Sequence, residues 1–140
     1  MAHELPPEIR NRTPAPHALR VGLRRPELPN SAEVAAFCVD PPASVENDSS
    51  WIRVSWGADR LLVLLEEGKG PAHLGFEHAL RVESSFSKAC FLAAYFIARR
   101  CGGVVQVRQR ATVLAAGAFA ERFLEGEDLD SRWDRAISRS

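Results

Sequence analysis

The chain has 140 residues, is 46% hydrophobic and 26% charged, and carries 18 basic and 18 acidic side chains for a net charge of zero. That length fits a single domain, and that composition can bury a core without disulfides or structural metals. The balanced charge argues against a dedicated nucleic-acid binder and a polybasic membrane anchor, both of which usually carry a cationic excess.

Residues 1–16 hold Pro6, Pro7, Pro14 and Pro16 among polar side chains. Proline removes a backbone donor and disfavours helix in the residue before it, so this segment reads as a flexible Pro-rich arm. It shows no apolar run of the signal-peptide kind. The longest apolar runs, Leu61–Leu65 and Ala89–Ala98, are too short to cross a bilayer. A cytoplasmic protein is therefore expected, with one α+β domain over residues 17–140.

Leu19, Val21 and Leu23 alternate with Arg20, Gly22 and Arg24, which predicts a first strand with one buried face. Pro26 and Pro29 end it. Asn30 or Ser31 can cap a short helix from Ala32 to Phe37. The same stretch could instead run as a strand through Ala35–Val39, and the helix is preferred. Asp40-Pro41-Pro42 breaks either element, and Ala43–Ser50 reads as a polar loop. Trp51–Trp56 alternates, with Ile52, Val54 and Trp56 on its apolar side. Arg60–Glu66 is apolar on both faces, the pattern of a central strand. His73–Val82 alternates again, with Leu74, Phe76, His78, Leu80 and Val82 facing one way. Three such strands joined by the Gly57–Asp59 and Glu67–Pro71 turns predict an antiparallel meander.

A helix follows whose core, Ala89–Ala98, is apolar almost all round and so must be packed on more than one side. Ser84 and Ser85 are candidate N-caps. Arg99 and Arg100 suit the C-terminal end of the helix dipole, and Gly102 and Gly103 can end the helix. Val104–Arg110 reads as a strand. A helix is predicted to open at Ala111 or Thr112, with Val113, Ala116, Ala120 and Phe123 on one face and Gly126 as its stop. Asp128 can cap a last helix in which Leu129, Trp133 and Ile137 recur at spacing four. The expected fold is an antiparallel sheet of four to five strands with helices packed mainly on one face.

Chemistry-bearing residues are sparse. Cys38, Cys90 and Cys101 are an odd set without close pairing, which reads as three free thiols of a reducing compartment. Gly68-Lys69-Gly70 lacks the upstream glycine and following hydroxyl of a phosphate loop, so it reads as a hairpin turn. His73 and His78 are five apart and would point to opposite faces of one strand, which rules out joint metal ligation. His78 lies on the apolar face, where a bonded neutral histidine is the plainer reading and a base the sharper one. Cys90 or Cys101 could meet His78, and Cys101, beside Arg99 and Arg100, fits a reactive thiol better, but a helix C-terminus disfavours the thiolate such a nucleophile needs. Glu66-Glu67 and the Glu125–Asp130 acids read as a strand end and a solvated helix cap.

Arg99, Arg108 and Arg110, together with Arg100, could converge where the strand leaves the helix end, forming an anion site or a solvated edge. Trp51 and Trp133 are amphipathic aromatics that can serve as core residues or as interface anchors. The functional expectation is a non-enzymatic protein-interaction domain, such as an immunity-type inhibitor, adaptor or chaperone. Its expected binding residues are Trp51, Trp133, Arg99, Arg108 and Arg110. The expected partner is another protein, a second copy of the chain included, and not nucleic acid or membrane. No cofactor, metal or catalytic set is expected. The alternative is a small enzyme or ligand-binding sensor with a pocket between sheet and helix near His78.

Overall fold

The computed structural model describes residues 15–71, 74–107 and 112–138. Among these residues seven antiparallel strands form one sheet: β1 (His17–Leu23), β2 (Ser44–Asn47), β3 (Trp51–Trp56), β4 (Asp59–Glu66), β5 (His78–Ser84), β6 (Val104–Val107) and β7 (Thr112–Ala115). Their order across the sheet is β2-β3-β4-β5-β1-β6-β7. The helices are α1 (Ser31–Cys38), α2 (Ser87–Cys101), α3 (Ala116–Phe123) and α4 (Leu129–Ile137).

The expected four to five strands become seven because two short edge strands carry no periodic signal. In β2, Ser-Val-Glu-Asn, all four side chains are exposed, so no alternation marks it. Its pairing comes from the Asp48–Trp51 turn, which folds it back on β3 with Asn47 opposite Ile52. In β7, Thr-Val-Leu-Ala continues an apolar pattern into α3 and so reads as the first turn of that helix. It instead pairs with β6, Val113 opposite Gln106.

The meander stands, with β4 at its centre. Leu61 and Val63 face the helices, while Leu62 and Leu64 face the other way, and all four are buried. The third strand is shorter than its alternation suggests, since Leu74–Glu77 lies outside β5. Residues 31–38 adopt the helix, with Asn30 as its cap accepting from the Glu33 N–H at 3.1 Å. Ser84 and Ser85 do not cap α2. Ser84 Oγ donates to the Arg60 carbonyl at 2.8 Å, and Ser85 Oγ donates to Asp59 at 3.0 Å. Both hydroxyls tie the β5 exit to the β3–β4 hairpin, leaving Phe86 at the N-cap without a side-chain bond.

All the described helices pack on one face. β5 and β6 both run antiparallel to β1, which lies between them, and are therefore parallel to each other. A parallel return needs a long crossover, and α2 supplies it across β1, β5 and β6. Its apolar circumference has two jobs: Leu92, Phe96 and Ile97 join the core above Val21, Leu80 and Val82, and Phe96 also meets Phe37 of α1 and Trp133 of α4. Gly102 caps the helix at φ 68°, a left-handed conformation open to glycine at no steric cost.

Candidate functional site

At the β2 edge of the sheet the chain leaves a groove of about 440 Å³. Its floor and walls are small and apolar: Ala32, Ala35 and Ala36 from α1, Pro41 and Pro42 after it, and Val45 of β2. Two local facts create it. Alanines leave the outer side of α1 shallow, and the paired prolines direct the chain away before β2 can close under the helix. Val45 lies opposite Val54, so its side chain is on the helix-bearing face. It remains 37% exposed, and no strand lies beyond it among the described residues.

The backbone along that edge is open. The Asp48 N–H donates to the Trp51 carbonyl at 2.9 Å, so these two form a hydrogen-bonded pair of the hairpin. Such pairs alternate along an antiparallel ladder. Glu46 and Ser44 therefore bond inward to β3, while Val45 and Asn47 turn their N–H and C=O groups outward. The Asn47 side chain accepts from Ser31 Oγ at 3.2 Å, which ties the strand to the start of α1.

One end of the groove is charged. α1 has no basic residue in its last turn, and α4 supplies the missing cations. Arg132 donates to the Phe37 carbonyl at 2.9 Å and Arg135 to the Ala36 carbonyl at 2.7 Å, and both reach Asp40. Guanidinium groups at a helix C-terminus satisfy its free carbonyls and its dipole. Partial burial raises the Asp40 carboxyl, but Arg132 and Arg135 outweigh it and hold the group below its ordinary value of 3.8. α4 is thus docked on its own domain by a hydrogen-bonded clamp.

The residues singled out in the sequence do not form one surface. Trp133 packs against Phe96 with ring centroids 5.5 Å apart, and the Arg99 guanidinium lies 3.8 Å over its ring. Arg99 also donates to Tyr95 Oη at 3.2 Å. These two are brought together, as a cation–π stack over the α2–α4 contact. Trp51 stands on the opposite face of the sheet, beside Leu64. Arg108 and Arg110 lie outside the described residues, as does His73. Arg100, which could have joined them, bonds Glu33 at 2.9 Å across α1 and α2. The groove was missed because its one sequence mark, a lone Val45 after two prolines, is indistinguishable from loop.

His78 sits opposite Leu23 on the helix-bearing face, and its Nδ1 is buried without a hydrogen-bond partner among the described residues. A smaller cavity of about 180 Å³ lies nearby, between Leu23, Arg24, Arg25, Glu27 and Cys101, and His78 does not line it. Burial, and after it the Glu27 carboxylate, push the Cys101 thiol from 9.0 up to about 11. Burial and the Glu83 charge push Cys90 up to about 12, and full burial drives Cys38 upward as well. All three are free thiols. Because the thiolate is the nucleophile, alkylation of Cys101 at pH 7 should run about a hundredfold slower than for an unshifted thiol and rise roughly tenfold per pH unit toward pH 11. Mass spectrometry of iodoacetamide-treated native protein checks this, and a rate equal to that of free cysteine would show an exposed thiolate instead.

Among the described residues no group of three histidines, cysteines or carboxylates is arranged to hold a metal, and no helix is long and apolar enough to cross a membrane. Comparison of the chain with protein-family models, with curated proteins and with solved structures finds no match.

Proposed function

We propose that the chain is a non-enzymatic protein-interaction domain, an inhibitor, adaptor or chaperone of the cytoplasm, and that its partner enters as an extended segment along β2. The carrying observation is the outward backbone of Val45 and Asn47 beside the α1 groove. An added strand would satisfy those N–H and C=O groups, and its alternate side chains would fall between Val45 and the α1 alanines. This is the chemistry of strand addition, in which main-chain bonds supply affinity and side-chain pockets supply selectivity. β2 is short and its one charge, Glu46, is paired with Arg53 of β3, and it carries no lysine, proline or bulge to bar an incoming strand. Three thiols held protonated suit a reducing compartment and do not suit thiol chemistry.

The test is Val45→Pro. Proline at this position deletes only an outward N–H, and edge strands tolerate it where the ladder bond is not used. Proteins captured by the wild type are identified, purified and titrated by calorimetry against both forms. A purified partner should bind the folded variant at least tenfold more weakly, a change of about 1.4 kcal/mol. A partner that binds both alike places the interaction elsewhere.

A further inference from the structure

The outer edge of β2 is complementary to itself in one register. Val45 and Asn47 hold their N–H and C=O groups outward, while Ser44 and Glu46 bond inward to β3. An antiparallel strand of the same sequence must bring its own Val45 or Asn47 to these positions, because only outward-facing residues exchange main-chain bonds. Within β2 that allows Val45 opposite Val45, Val45 opposite Asn47, or Asn47 opposite Asn47. The second arrangement sets the Glu46 side chains of the two copies directly opposite each other. The third sets each Glu46 opposite an Asp48. Like charges directly opposite on a sheet are destabilising. Arg53 does not remove the conflict: it bonds the Glu46 of its own chain at 2.6 Å, and that carboxylate stays 56% exposed. The first arrangement has no such clash. It puts Val45 on Val45 and each Glu46 opposite a Ser44, whose hydroxyl is a donor to a carboxylate.

We propose that the strand added along β2 is the β2 of a second copy in this register, joining two sheets into one across a two-fold axis. The proposal rests on the reading of β2 as a strand-addition edge and names its occupant. An axis normal to the sheet keeps the helices of both copies on one side. Val45, 37% exposed in the single chain, is then covered by its counterpart, with Cα atoms about 5.5 Å apart as in any hydrogen-bonded antiparallel pair. Above the paired valines the outer sides of the two α1 helices face each other. Ala32, Ala35 and Ala36 line that side, and methyl groups set the shortest approach between helices. The net charge of zero gives no overall repulsion between copies. The contact uses the same patch on both chains, so it closes at two copies. Four-residue strands make a small interface, and a reversible dimer follows.

Sedimentation equilibrium of the full chain over about 5–500 µM should show the mean mass rising from 15.4 kDa toward that of two chains. Exposed Ser44 is the site of the discriminating variants. Ser44→Glu should weaken the dimer about three- to tenfold and Ser44→Lys should tighten it by a similar factor, because each dimer holds two Ser44–Glu46 cross-strand pairs. Register is read by oxidation with copper–phenanthroline in air. Val45→Cys should give a disulfide-linked dimer. Asn47→Cys should not, since its two copies lie about 14 Å apart along the strands, beyond disulfide reach. A wild type that stays monomeric throughout overturns the proposal and leaves β2 to a strand of another protein, which Val45→Pro tests separately. A dimer unmoved by both Ser44 variants overturns it, as does one that links as fast through Asn47→Cys as through Val45→Cys.

Discussion

Phe96→Ala is expected to destabilise the domain by about 3–5 kcal/mol, the range for removing a large aromatic from a core. Phe96 is fully buried in the middle of α2, 5.0 Å from the Phe37 ring and 5.5 Å from the Trp133 ring. It therefore joins α1, α2 and α4, and its loss opens a cavity that three elements would have to close together. Collapse at one wall pulls on the Arg132 and Arg135 bonds to α1, so relaxation should be incomplete and the cost should sit high in the range. Urea unfolding of wild type and variant measures it, with Leu74→Ala in the exposed β4–β5 loop as the control, expected within about 0.5 kcal/mol. A loss below about 1 kcal/mol for Phe96→Ala, the size of an ordinary surface change, would mean that α4 does not dock where the structure puts it.

Gly103→Ala should destabilise by about 1–3 kcal/mol or more, the cost of forcing atoms into a packed site. Gly103 is where the chain leaves α2 to begin β6. A Cβ there would overlap the Gly22 carbonyl oxygen and press on a Leu23 methyl. The obstacle is backbone in a central strand, so nothing can swing aside. Gly102 makes the contrast. It has a positive φ and open space around it, so Gly102→Ala pays only a left-handed penalty, about 1–2 kcal/mol, and Gly102→Asn should cost less because asparagine tolerates that conformation. Thermal melts of the three variants separate the cases: Gly103→Ala should be the worst and Gly102→Asn the mildest. Equal effects at Gly103 and Gly102 would show that the β1–β6 approach is looser than described.

The elements that sequence alone determined are those whose burial leaves a period. β3 and β4 announce themselves by alternation and by an apolar run on both faces. α2 is marked by its all-round apolar circumference, its two C-terminal arginines and Gly102. Asn30 and Asp128 are legible as caps because a short oxygen-bearing side chain before a helix has one evident use, and both accept from the first turn. The tertiary structure alone decided the sheet's width. β2 buries nothing, so no pattern records it, and β7 borrows the pattern of the helix it precedes. It also decided which role each ambiguous side chain plays. Ser84 and Ser85 bond a hairpin 24 to 26 residues away in sequence rather than the adjacent helix. Trp133 lies under Arg99, while Trp51 lies on the opposite face. The groove beside β2 was beyond sequence because it is made of what is missing there. Small side chains on α1 and a vacant place beyond an edge strand have meaning only once α1, α4 and β3 are in position around them.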